Sequence, residues 1–141
     1  MILDDEKVFE ILLPMAEDIL NTRYRHVACV VLRNKIISYG ISQKKSHPFA
    51  AKYGGRNGKS IYWHAETMAI HNAIDKIGEE ALQNCTLYVM RLKYADTFKH
   101  HYHMGESKPC AGCQRCIEEH GINRVVYSIG ENHFGTYFRK E

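Results

Sequence analysis

The sequence is short of the features that place a chain in a membrane, in a fibre or in a disulfide-stapled scaffold. Apolar runs such as Ala28–Leu32 extend over only a few residues, where a membrane-spanning helix needs about 20. Three prolines and one tryptophan occur among 141 residues. No repeat, low-complexity stretch or linker breaks the chain, so residues 1–141 are expected to form a single domain. Met1 to Glu6 are acidic where an export leader would be basic and then apolar, and the expectation is a soluble, cytoplasmic protein with no membrane contact. Charge of one sign is not concentrated either. Nineteen Lys and Arg against sixteen Asp and Glu give +3, the pI is about 8.6, and the basic residues form no run. A polymer-binding face usually shows as a domain pI above ~9 with clustered cations. Nucleic acid is therefore not demanded, while phosphate-bearing small molecules stay open. Five cysteines, an odd number without an export signal, argue against a disulfide framework.

What is present is ordinary globular material, 45% apolar and 25% charged, arranged as alternating elements. Residues 3–20 predict an amphipathic helix that Pro14 should kink or split. His26–Leu32 reads as a strand buried on both faces, Arg33 to Lys35 as a turn and Ile36–Tyr39 as its hairpin partner. Residues 40–60 read as a long, functional loop. A helix follows over His64–Ile77, with Ala65, Ala69, Ala73 and Ile77 on one stripe and Gly78 as its stop. Cys85–Met90 predicts a third strand, 93–108 a polar loop, Cys110–His120 a helix closed by Gly121, and Ile122–Ile129 a strand. Phe134–Phe138 is expected as a short last strand. Only about four residues separate it from Ile129, too few for a parallel crossover, so it should pair antiparallel. The order implies an α/β fold, a three-layer α/β/α domain on a mixed sheet of about five strands.

Two short segments carry chemistry. His64, Ala65 and Glu66 open one predicted helix; Pro109, Cys110, Ala111, Gly112 and Cys113 open the next. Thiolates at a helix start are stabilised by free N–H groups and the positive end of the dipole. A Cys-x-x-Cys turn can place both sulfurs on one ion at about 2.3 Å, with an imidazole as third ligand at about 2.0 Å. Three protein ligands leave one tetrahedral position for water, as in a catalytic rather than a structural zinc site. Glu66 is two residues from His64, and an N-cap residue has non-helical dihedrals, so both side chains can face one pocket.

This pair, H-x-E followed by P-C-x-x-C, is the signature of the zinc deaminases of nucleobases. Over about residues 25–130 the sequence resembles the cytidine/deoxycytidylate deaminase superfamily, and the run from Gln114 to Ser128 is similar to small, phage-type deoxycytidylate deaminases. The resemblance implies a cytidine deaminase-like fold in which His64, Cys110 and Cys113 hold Zn2+ and Glu66 shuttles protons. It implies that the backbone N–H of Ala65 holds the carbonyl oxygen of the pyrimidine. The activity it implies is hydrolytic deamination of a cytosine base, in a free nucleotide such as deoxycytidylate, by a homo-oligomer. The sequence departs from the family in placing Ser42 or Gln43 where many relatives have a sugar-contacting asparagine. The antiparallel last strand is the arrangement of free-nucleoside and guanine deaminases.

The remaining candidates divide between site and scaffold. Cys116 reads as a core cysteine, since a fourth protein ligand would close the water position; Cys29 and Cys85 sit in apolar strands. His47 is the residue of the 40–60 loop most suited to touch substrate, beside Lys44, Lys45, Lys52, Arg56 and Lys59. Tyr62 and Trp63 could wall a base pocket or anchor the helix. Lys99 to His103 reads as a solvated or substrate-facing loop. Gly54 to Ser60 lacks the glycine spacing of a phosphate loop. Two rival readings stay open: a nucleic-acid cytosine or adenine deaminase contacting phosphates through Arg56, Lys59 and Lys99, and a non-catalytic zinc or redox module.

Overall fold

The computed structural model describes residues 2–19, 25–43, 47–53, 63–94, 102–131 and 133–139, with the backbone alone for 50, 94 and 102. Helix α1 spans Asp5–Glu17, capped by Asp4, whose carboxylate accepts the Lys7 N–H at 2.8 Å. It runs as one continuous helix through Pro14, which therefore does not split it. Pro14 and Glu10, whose carbonyl loses its donor, both lie on the exposed face, where the lost bond is least costly. Strands β1 (Arg25–Leu32) and β2 (Lys35–Ile41) form the expected hairpin. Arg33 and Asn34 make its two-residue turn with φ of 48° and 67°, the backbone a primed turn requires.

The 40–60 stretch is more structured than a loop. Gln43 bridges to Trp63, and Pro48–Ala51 forms the short helix α2; Lys44, Lys45 and 54–62, with Arg56, Lys59 and Tyr62, lie outside the described residues. Helix α3 spans Ala65–Ile77, and a 3-10 turn at Glu80–Asn84 leads into β3, Thr86–Tyr94. The expected polar loop over 93–108 contains a further strand, β4 (Tyr102–Gly105), which pairs antiparallel with Arg91–Tyr94. Sequence pattern missed it because a run of four residues ending in glycine is too short to show a strand period. Residues 95–101, with Lys99, His100 and His101, lie outside the described residues. Helix α4 (Ala111–Glu119), β5 (Arg124–Gly130) and β6 (His133–Phe138) complete the order.

The sheet is open, mixed and six-stranded, running β2-β1-β3-β5-β6 with β4 added on β3. The β3–β5 pair is parallel and α4 is its crossover; β6 returns antiparallel, as expected. Even and odd positions of β1 divide two cores. Ala28 and Val30 pack with α3, α4, Leu87, Val89 and Val125. Val27, Cys29 and Val31 pack with α1 residues Val8, Phe9 and Leu12. The three-layer architecture follows. No helix among the described residues is long and apolar enough to cross a membrane.

Helix α1 is tied to the sheet by a polar clasp. Arg124 donates to both Asp5 oxygens at 3.1 and 2.6 Å, and the Tyr88 hydroxyl donates to Asp5 at 2.6 Å. Burial alone would raise the Asp5 carboxyl, but these donors outweigh it and hold it below its ordinary value. A depressed folded pKa stabilises above the unfolded value of 3.8 and is lost as pH falls through the folded one. The pair is about a third exposed, so Asp5→Asn should cost about 1 kcal/mol at pH 7. In urea unfolding at a series of pH values, that gap should close below about pH 4.

Candidate metal centre

The centre is built from two helix starts on one face of the sheet. His64 is the N-cap of α3 and Cys110 the N-cap of α4, both in extended backbone. Close approaches fix each start. Gly40 of β2 lies so near α3 that a Cβ there would fall 2.0 Å from the Ala65 carbonyl oxygen. Ser38 donates to the Ala69 carbonyl at 2.7 Å and strengthens the same contact. At α4, a Cβ on Gly112 would fall 2.0 Å from the Tyr53 carbonyl oxygen. Only glycine fits either contact.

The segment entering α4 is stapled by two buried hydroxyls. Ser107 donates its N–H to the Ser128 carbonyl at 2.8 Å, and its Oγ lies 2.8 Å from the Val89 carbonyl and 2.9 Å from Ser128 Oγ. The Ser128 N–H donates back to Ser107 Oγ at 2.8 Å, and Ser128 Oγ donates to Gly105 at 2.7 Å. These bonds carry the sheet's pairing across the gap where β4 ends and the chain turns to Cys110. Gly40, Gly112 and Ser107 were not legible as positioning residues, because their partners are distant in sequence.

The ligand atoms of His64, Cys110 and Cys113 all lie within 4.8 Å of one another. His64 Nδ1 is 3.3 Å from the Cys113 sulfur and 3.7 Å from that of Cys110. Cys113 is buried and Cys110 exposed, so the cluster opens to solvent on the Cys110 side. The hydrogen bonds from Cys113 and His64 pull the Cys110 thiol down to about 3, while Cys113 is pushed up by the same bond and by burial. His64 is raised chiefly by its bond to Cys110. Glu66 is 5% exposed, its carboxyl raised by burial against the opposing pull of the His64 charge. The donor set of two sulfurs and one imidazole fits Zn2+, with a carboxyl beside it that is not needed as a ligand. Cys116 lies outside this group, fully buried, its thiol pushed up to about 12 by burial.

Residues 3–129 match the family model described as the cytidine and deoxycytidylate deaminase zinc-binding region. The chain belongs to this family. No curated protein matches it. In this deaminase fold Ala65 is the first helical residue, so its N–H has no acceptor within α3. Ser42 sits at the end of β2, its Oγ accepting the His26 N–H at 3.3 Å. His47 stacks on Trp63, ring centroids 4.1 Å apart, and its Nδ1 accepts the Phe49 N–H at 3.1 Å. It thus stands against the residue preceding His64, and His71 lies edge-on to it at 4.8 Å. His26 was not singled out from sequence. Burial, with the charges of Arg91 and His64, lowers it to about 4.

Bound metal would tie the two helix starts together, so its loss should be felt as unfolding. Cys110→Ser and Cys113→Ser should each lose zinc and melt earlier, as read by metal analysis and thermal unfolding. Cys116→Ala should keep the parent's metal content.

Proposed function

We propose that this deaminase is a zinc enzyme that hydrolyses the exocyclic amine of cytosine in a free nucleotide such as deoxycytidylate. The observation that carries the reading is a carboxyl, Glu66, buried against a His64/Cys110/Cys113 cluster that is open on one side. Zinc held by those three residues supplies Lewis-acid activation of a water molecule at neutral pH.

The chain's own groups do the rest in this proposal. The Ala65 N–H, unused within the helix and at its positive end, holds the carbonyl oxygen of the base. Glu66 takes a proton from water and delivers it to the ring nitrogen, which makes the amino-bearing carbon electrophilic. A C–O bond forms there from water, Glu66 passes the second water proton to the amine, the C–N bond breaks, and ammonia leaves with the keto base behind. Ser42 and His47 are proposed substrate contacts, Ser42 in the place of the family's sugar-binding asparagine. The resemblance further supports the enzyme's working as a homo-oligomer.

An ammonia-release screen over bases, nucleosides, nucleotides and short single strands tests this. Turnover of a cytosine nucleotide is expected. Turnover of single strands alone would favour the polymer reading, and none at all in the zinc-loaded protein the non-catalytic one. Glu66→Ala should keep zinc and fold but lose kcat by about 10²-fold or more. Full activity in that variant would overturn the proton-transfer role.

A further inference from the structure

Strand register sets out a polar row beside the metal centre that sequence spacing does not show. Gly40, Ala28 and Val89 are aligned across β2, β1 and β3, and Gly40 lies under the first turn of α3. One step outward on the same face, the row becomes Ser42, His26 and Arg91. His26 is registered opposite Arg91, and the Ser42 N–H donates to the His26 carbonyl at 3.1 Å. This row lies beyond the start of α3, where His64 stands. His26 is close enough to feel the charges of His64 and Cys110 as well as Arg91.

The same face continues along the β3–β4 ribbon. Arg91 pairs with Gly105 and Lys93 with His103, and alternation places Arg91, Lys93 and His103 on one side. The opposite side carries Leu92 and Met104, which pack toward α1. Lys93 lies across Gly105, where a Cβ would come within 3.0 Å of its stem, so its chain runs back toward the Arg91 row.

Charge along these strands is of one sign. β1, β2, β3 and β4 contain no Asp or Glu. The acidic residues Glu79, Glu80 and Glu119 instead gather with His120 around a shallow pocket near the C-terminal ends of α3 and α4. Of the fixed cations on the ribbon face, Arg91 is half-buried and Lys93 exposed. Two cations on one face attract an anion, with the Glu131 carboxylate, which accepts the Met104 N–H at 2.7 Å, as an acidic group on the ribbon; a guanidinium matches phosphate oxygens in pairs.

We propose that Arg91, with Lys93 at its rim, takes the phosphate of the nucleotide substrate. This rests on the reading of the site as a cytosine nucleotide deaminase and assigns its anion subsite. The test compares kcat/KM for deoxycytidylate and deoxycytidine in the zinc-loaded parent, Arg91→Met, Arg91→Lys and Lys93→Met, with zinc content measured for each. The parent should prefer the nucleotide. Arg91→Met should cut the nucleotide-to-nucleoside ratio by about 30-fold or more, as expected when a charged contact is lost. Arg91→Lys should restore part of it, and Lys93→Met should lower it by roughly three- to tenfold, as for a solvated contact. An unmoved ratio in Arg91→Met that retains zinc overturns the inference alone. A parent inactive on both compounds overturns the functional reading beneath it.

Discussion

The centre depends on bringing two helix starts together from segments 46 and 49 residues apart in the chain. Sheet topology enforces this. The parallel β3–β5 pair requires a crossover, α4, and α3 fills the other half of the same face over β1 and β2. Both helices leave the sheet in one direction, so their N-termini share one edge. The dipoles and free N–H groups of both therefore converge on one spot, which favours thiolate and any oxygen anion there. Absent side chains hold the tolerance tight: Gly40 and Gly112 let backbone meet backbone where a methyl would push each helix away.

A second consequence is the separation of charge along the helix axes. Carboxylates collect near the C-terminal ends of α3 and α4, while the strands beneath the N-terminal ends carry basic side chains and none that are acidic. Glu66 is buried at the centre itself, and Glu131 reaches β4, where it accepts the Met104 N–H at 2.7 Å. A carboxyl buried like Glu66 is costly unless it has work to do or partners to hold it, and here the His64 charge favours its ionised form. The overall charge of +3 understates the polarity of the molecule.

The cluster of His64, Cys110 and Cys113 was legible because a metal centre of this kind needs a fixed local spacing. Cys110 and Cys113 must share a helix turn, and Glu66 must sit beside His64. Hairpin β1–β2 was legible because Arg33 and Asn34 separate two apolar runs. That Pro14 does not split α1 follows from its place on the face that meets solvent, and sequence alone does not say which face that is. Strand β4 was hidden because its pairing with Arg91–Tyr94 supplies the order that its sequence lacks. The Ser107–Ser128 staple, the Gly40 contact and the Ser42–His26–Arg91 row depend on register between distant segments, and no local pattern encodes that register.

The proposed chemistry depends on one open metal centre, and the ligand shell of the purified protein tests it most directly. X-ray absorption at the zinc edge should find one ion per chain bound by two sulfurs at about 2.3 Å, one imidazole nitrogen at about 2.0 Å and one light atom that exchanges with solvent. A shell of three sulfurs and one nitrogen, with no exchangeable ligand, would contradict it.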